Sequence, residues 1–393
     1  MTTGLSADLA ERRKALRADY AAGRLDAAAA GFAALLADLR QRGEIRPHHH
    51  LDLALCHFSA NRMAEAAAAI RAGLSEFPAD PELHENLGVC LGRLGDNQGA
   101  VASLTRAVEL GSAKPNVEDA LTQCYQKLGD LERARRHGIR SLTLKAANAE
   151  AIEPRVRPPE APPPPFEPTH RQANIIAYSL WGGDARYLAG AVRNALLIPE
   201  IYPGWLPRFY VGRGVPPGAI DQLRKLGAEV VPREGPDRLG EGLFWRFEVV
   251  GDPAVERFLI RDADSIVNTQ ERAAVDDWLA SGRWFHIMRD WWSHTDLMLA
   301  GLWGGCGGVL PPLAELRAAF VNDRATTFNI DQDFLRLMIW PIARSSCLIH
   351  DSYFDCLGSR PFPPAGRLPP GMHVGQDHRA RKIRPMQGVD VKR

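Results

Sequence analysis

Cys56, Cys90 and Cys124 stand 34 residues apart, and the residues around them repeat in step. Leu53, Leu87 and Leu121 share one register position, Ala54, Gly88 and Thr122 the next, and Ala66, Ala100 and Ala134 a third. Pro47, Pro81 and Pro115 open three units, while Asn61, Gly95 and Gly129 fall at the turns inside them. An earlier unit shows in Gly23, Ala28 and Phe32, offset by four extra residues. A period of this length means paired helices whose apolar face is too wide to bury alone, so neighbouring units must stack. The small residues fall where the two helices of a unit cross. On this reading the three cysteines are small core residues rather than a disulfide framework. His48-His49-His50 lies at a unit boundary without cysteine or acidic partners, and is read as a solvated helix start rather than a metal cluster.

Over residues 10–145 the pattern resembles the tetratricopeptide repeat, which wants a small residue at Gly88, Ala at Ala100 and an apolar residue at Leu104. The resemblance implies an all-α helical repeat domain over residues 1–150, with a partner protein or peptide on its concave face. A linker at 151–170 follows, in which Pro154 to Pro168 holds eight prolines. Such a run favours polyproline II and predicts a semi-rigid spacer between two independently folding parts. With 48 basic and 47 acidic residues the net charge is +1, which gives no footprint of the strongly basic face that nucleic acid usually demands. No run of about 18 apolar residues occurs, so no membrane span is expected. Met1 to Tyr20 reads as a charged amphipathic helix rather than a leader, which predicts a cytoplasmic protein. Residues 379–393, with Arg379, Arg381, Lys382 and Arg384, read as a disordered basic tail.

Beyond the prolines, residues 171–378 alternate between strand and helix. Asn174–Tyr178, Pro207–Val211, Ala228–Val231 and Arg257–Arg261 read as strands, and Asp184–Leu197 and Ala219–Leu226 as helices. That alternation predicts an α/β, Rossmann-like domain with a mostly parallel sheet. The Arg257 strand ends in Asp262-Ala263-Asp264. Ligands bind beyond the carboxyl ends of such strands, and two acids placed there are costly unless a cation or ligand offsets them. An Asp-x-Asp pair can hold Mg²⁺ or Mn²⁺ and leave coordination positions for substrate phosphates.

Further motifs follow in order. Tyr178, Ser179, Tyr187 and Asn194 lie on the first strand and helix, and Phe244-Trp245-Arg246-Phe247 precedes the acid strand. Met298 to Leu302, carrying Gly301, stands where the resemblance named next implies a strand. Asn329-Ile330-Asp331-Gln332-Asp333 opens a helix, and Leu348-Ile349-His350 with Arg360-Pro361-Phe362 comes last. Together these resemble metal-dependent glycosyltransferases of the GT-A fold, and family 8 in particular, which includes glycogenin-like and lipopolysaccharide galactosyltransferases. This sequence departs from that family with Arg261 before the acids and Arg-Pro-Phe late in the chain. A sister family therefore fits as well.

The resemblance implies a bacterial enzyme that moves a sugar from a nucleotide-diphosphate donor to a glycan or protein acceptor with retention of configuration. It assigns Asp262, Asp264 and His350 to the metal, with His373 in reserve. Tyr178, Ser179, Tyr187, Arg246, Asp262, Gly301 and Arg360 go to the donor, and Asp331, Gln332 and Asp333 to catalysis. An inverting enzyme would instead use one of those carboxylates, or Asp290, as general base. Trp291, Trp292 and Trp303 stand as sugar-stacking candidates or core residues. Two alternatives stay open: a repeat scaffold with an inactive second domain, and a haloacid-dehalogenase-type phosphatase with Asp262 as nucleophile. The second lacks a suitable lysine, since none occurs between Lys225 and Lys382.

Overall fold

The computed structural model describes residues 7–234, 239–320 and 329–376. The tail expected at 379–393 and the last residues of the second domain lie outside the described residues. The chain divides into two units, Met1–Leu144 and Lys145–Arg393, a boundary six residues earlier than the repeat pattern suggested.

Among the described residues up to Glu150, eight helices form four consecutive pairs: α1 (Ala7–Ala21) with α2 (Leu25–Gln41), α3 (Pro47–Ser59) with α4 (Met63–Glu76), α5 (Pro81–Leu94) with α6 (Asn97–Glu109), and α7 (Pro115–Lys127) with α8 (Leu131–Glu150). Proline occupies the first position of α3, α5 and α7, where its missing N–H costs nothing. Each pair turns through a left-handed residue, Gly23, Asn61, Gly95 or Gly129. A Cβ on Gly88 would come 2.4 Å from Leu104 Cγ, so the small residue there is what lets α5 and α6 meet. This is a tetratricopeptide-like helical repeat. Cys56, Cys90 and Cys124 are buried in its core, and burial pushes the Cys56 thiol up to about 11. The histidine expectation needs correction: His49 and His50 are buried, and burial lowers His49 to about 4. Burial lowers His50 as well, with Glu76 opposing from 3.2 Å off its Nε2.

In the second unit the sheet comprises β1 (Asn174–Leu180), β2 (Leu206–Val211), β3 (Glu229–Pro232), β4 (Arg257–Ile260), β5 (Phe285–Arg289), β6 (Trp303–Cys306) and β7 (Cys347–Asp351). Their order is β3-β2-β1-β4-β6-β5-β7, and only β6 runs against its neighbours. The helices are α9 (Ala185–Ile201), α10 (Pro217–Lys225), α11 (Leu239–Trp245), α12 (Thr269–Ala280), α13 (Leu313–Ala319), α14 (Ile330–Phe334) and α15 (Trp340–Ala343). A 3-10 segment, Arg246–Gly251, extends α11, and a π turn, Leu335–Ile339, joins α14 to α15. Every residue of β1 and of β4 is buried, as expected for central strands covered on both faces. Met298 to Leu302 is not a strand. Gly301 occupies the turn before β6, whose strand begins at Trp303.

The proline segment is not a free spacer. Trp284 Nε1 donates to the carbonyls of Pro159 and Ala161, both at 3.0 Å. Arg257 donates to Pro164 O, and Asn174 Nδ2 to Glu167 O at 2.9 Å. Phe166 stacks on Trp205 with ring centroids 5.5 Å apart. Polyproline II leaves its carbonyls unbonded, so the segment offers acceptors that these buried donors use. It runs along the amino ends of β1 and β4, where Asn174 and Arg257 lie.

Candidate functional site

Between β1 and β4 the chain changes direction across the sheet: β2 lies on one side of β1 and β4 on the other. At such a switch point a crevice opens beyond the carboxyl ends of the strands. Asp262 and Asp264 leave β4 there. Helix α9 holds their loop from behind. Asn194 Nδ2 donates to Ala263 O at 3.3 Å and Ser265 O at 2.9 Å, while its Oδ1 accepts from Val267 N at 3.0 Å. A Cβ on Gly190 would lie 2.3 Å from Ala263 O, and one on Gly301 would lie 2.0 Å from Asp262 Oδ2. Gly190 is therefore needed for the acid loop to sit where it does, and Gly301 for the Asp262 carboxylate to keep its place. Beneath the loop, Arg261 is buried against Glu271 at 3.3 Å, and Tyr202 donates to the same carboxylate at 2.8 Å. The arginine that departs from the family pattern is thus a fixed support under the acids.

The crevice has two connected chambers of about 330 and 320 Å³, sharing Leu243, Arg246, Asp262 and Gly375 as their common wall. The first holds His294, Gly301, Asn329, Asp331 and Gln332. The second holds Ser179, Trp181, Arg186, Tyr187 and Asp264. Arg246 is the hinge of this arrangement. Its backbone N–H donates to Ser179 Oγ at 2.9 Å, and its guanidinium grips Asp262 and, at 3.0 Å, Asp331. Burial works against the arginine's charge, yet the two carboxylates raise its pKa. Burial also raises Asp331, with Arg246 opposing. Arg186, on the first turn of α9, pairs with Asp264. Asp262 keeps 48% of its side chain exposed, against 10% for Asp264, so it presents the more accessible oxygens.

Of the residues singled out by sequence, the crevice gathers Ser179, Tyr187, Arg246, Asp262, Asp264, Gly301, Asp331 and Gln332. Five others need correction. Tyr178 is fully buried and stacks on Phe209 at 4.7 Å, so it packs the sheet rather than touching a ligand. Asp333 faces Arg336 at 2.5 Å. His350 lies on the sheet face covered by α12, with Nε2 2.9 Å from Asp277 Oδ2 and Nδ1 2.9 Å from His286 Nε2. Both its ring nitrogens are engaged, which leaves none for a metal at the acid pair. Arg360 pairs with the same Asp277 and lines neither chamber. Asp290 is no general base, because its carboxylate accepts from Gln270 Nε2 at 2.8 Å, Val374 N at 2.7 Å and Ser352 Oγ. It ties the His373-Val374-Gly375 segment to the crevice. Trp303 is core, and Trp291 stacks on His373 at 4.6 Å.

The sequence reading missed His294, Trp181, Gly375 and the bracing role of Asn194. His294 Nδ1 accepts from the Asp290 backbone N–H at 3.0 Å, and burial, followed by His373 and Arg289, pushes its pKa down to about 3. His373 Nδ1 lies 2.9 Å from Val374 O, an orientation that leaves its Nε2 lone pair available. Among the described residues no three His, Cys, Asp or Glu side chains are grouped as a metal site. The two aspartates offer oxygen donors of the kind that suit a hard cation, and each is paired with an arginine, Asp264 with Arg186 and Asp262 with Arg246.

No protein-family model and no curated protein matches this chain. Among solved structures, it is similar to MamA, at 20% identity over 37% of this chain and 82% of that one, with a TM-score of 0.32. MamA 41-end from Desulfovibrio magneticus RS-1 gives 15% identity over 35% and 76%, with a TM-score of 0.32. PcrH from Pseudomonas aeruginosa gives 25% identity over 33% and 96%, with a TM-score of 0.26. Overlaps this slight carry nothing about activity, and the repeat architecture rests on the helix pairs themselves. No helix among the described residues is long and apolar enough to cross a membrane.

Proposed function

We propose that the second unit is a GT-A-type glycosyltransferase that takes a nucleotide-diphosphate sugar, and that the helical repeat recruits the acceptor or a partner protein. One observation carries this reading. At the switch point between β1 and β4, a single crevice joins the acid pair to Asp331 and Gln332 through one buried arginine. In the reading, the Trp181–Tyr187 chamber takes the nucleoside and the Gly301–Gln332 chamber takes the sugar, so the diphosphate bridges them beside Asp262 and Asp264. Chambers of about 330 and 320 Å³ suit the two halves of such a donor.

Mn²⁺ or Mg²⁺, held by Asp262 and Asp264, would offset the charge on the departing diphosphate. The chain's own residues supply the rest. Arg246 fixes Asp262 relative to Asp331, and Gly301 leaves room for the sugar against the acid. Asp331 and Gln332 face the transferred ring, which by the family resemblance favours retention. His350 does not serve as the third ligand, since Asp277 and His286 engage both its ring nitrogens.

A thermal-shift panel of nucleotide sugars, with and without Mn²⁺, tests this. A donor that raises the melting point of the full chain only when Mn²⁺ is present, and fails to do so in Asp264→Ala, is the expected outcome. A second reading, a scaffold with an inactive domain, is favoured by the pairing of both acids with arginines. It predicts no shift with any donor.

A further inference from the structure

Two histidines that line neither chamber form a hydrogen-bonded couple on the sheet face covered by α12. His286 of β5 and His350 of β7 are fully buried, with His286 Nε2 2.9 Å from His350 Nδ1. His350 Nε2 lies 2.9 Å from Asp277 Oδ2, and Arg360 pairs with that same oxygen. Trp278 stacks on the His286 ring at 5.6 Å, and Phe362 covers the His350 ring at 5.4 Å.

These contacts fix where the protons are. A carboxylate gripped by arginine accepts, so His350 donates to Asp277 from Nε2. Burial disfavours a charged His350, so its Nδ1 accepts and His286 donates from Nε2. His286 Nδ1 is then the one bare ring nitrogen of the couple. It is buried, and nothing hydrogen-bonds to it among the described residues. A further proton always leaves an N–H at that place. Relaying the charge to His350 does not avoid this, because His286 then turns over to its other tautomer. An N–H buried without an acceptor is destabilising, and a charged one more so.

The surroundings give no relief. Asp277 faces the couple from α12, Arg360 from the segment after β7, and Arg261 from the end of β4, itself paired with Glu271. Gly304 and Leu348, beside His286 on β6 and β7, add no charge. Burial first, then His350, Arg261 and Arg360, holds His286 well below the ordinary histidine range. The couple also secures more than itself. Arg360 lies along the outer edge of β7, its N–H donating to Ile349 O and its carbonyl accepting from Asp351 N, both at 2.9 Å. Phe362 packs in an apolar cluster with Met288, Leu302 and Val374, and Leu302 lines the first chamber.

We propose that His286 and His350 form a pH-sensitive latch, which holds the Arg360–Phe362 segment on the edge of β7 while both rings are neutral and releases it in mild acid. Once released, the rings regain an ordinary value of about 6.5 and take up protons that the closed couple refuses. The latch is therefore complete above that value and weakens as pH falls below it.

Hydrogen exchange of the full chain, read by mass spectrometry between pH 7.5 and 5.5 with times scaled for intrinsic rates, tests this. Peptides spanning residues 348–362 should lose protection by about tenfold or more per pH unit below 6.5, the slope of one proton. Peptides of β1 and β2 should hold theirs. His286→Gln keeps a donor towards His350 Nδ1, removes the bare nitrogen, and can turn its amide to accept from a protonated His350. Its protection should hardly change with pH. Flat protection in the native chain would overturn the latch. An acid response kept in His286→Gln would also overturn it, and would assign the opening to Asp290, which holds Ser352. Should His286→Gln not fold, Asp290→Asn decides: an unchanged acid response supports the latch, and its loss refutes it.

Discussion

Arg246 decides what the crevice acids can do. Its guanidinium is buried between Asp262 and Asp331, so removing it leaves two carboxylates facing each other without a cation. Arg246→Ala should cost roughly 3–5 kcal/mol in urea denaturation, because breaking one side of a buried pair strands the other. Arg246→Lys should recover only part, since an ammonium lacks the fork that reaches two acids at once. Asp331 behaves differently. Burial raises its pKa, so the folded state holds its proton more tightly than the unfolded chain does. The stability it contributes is therefore present in acid and lost as pH rises through the folded value. Asp331→Asn removes this proton-linked loss while Arg246 keeps Asp262, so the stability of the variant relative to the native protein should rise as pH rises from 4 to 8. The same variant should lose transfer activity, as expected where a site is held in a costly state. A denaturation series between pH 8 and 4 reads the first effect, and donor turnover the second.

At the scale of elements, what the sequence revealed and what it hid follow from the range of the interactions. Pro47, Pro81 and Pro115 start helices and Asn61, Gly95 and Gly129 turn them through local chemistry, so the repeat was legible residue by residue. Strands β1 to β4 and the acid loop were legible from apolar runs and their punctuation. The partners of those acids were not. Arg186 meets Asp264 and Arg246 meets Asp331 across separations of 78 and 85 residues, and no local pattern encodes such a meeting. His350 failed for the same reason: the resemblance assigned it to the metal, but the fold turns it towards Asp277 and His286 under α12. Asn194 was noted as part of a motif, whereas only the fold shows it clasping the acid loop. Asn194→Ala deletes three hydrogen bonds in a buried place and should cost about 2–3 kcal/mol. Gly190→Ala should be worse for function than for folding, because its Cβ would press on Ala263 O and displace the acids. Mn²⁺ affinity measured by calorimetry should fall at least tenfold in Gly190→Ala, while a repeat-unit tryptic pattern stays unchanged.

For the whole molecule, the proline segment changes where the second unit begins. As a spacer it would be dispensable, and a chain starting at Arg171 would fold as well as one starting at Ile152. The structure gives it a different task. Carbonyls of Pro159, Ala161, Pro164 and Glu167 satisfy Trp284, Arg257 and Asn174 at the amino ends of the central strands, while Phe166 covers Trp205. Cutting at Arg171 leaves these donors short of partners and opens apolar surface, at about 1 kcal/mol for each hydrogen bond lost. A fragment from Arg171 should therefore melt on the order of 10 °C below a fragment from Ile152, given the few degrees that each kcal/mol shifts a unit of this size. The comparison also separates the two units by role. The fragment from Ile152 should keep metal-dependent donor binding, since every crevice residue lies beyond it, and should lose transfer to any acceptor that the repeat recruits. Were that fragment to lose donor binding as well while still melting cooperatively, the repeat would have to be part of the donor site, and separate roles for the two units would be untenable.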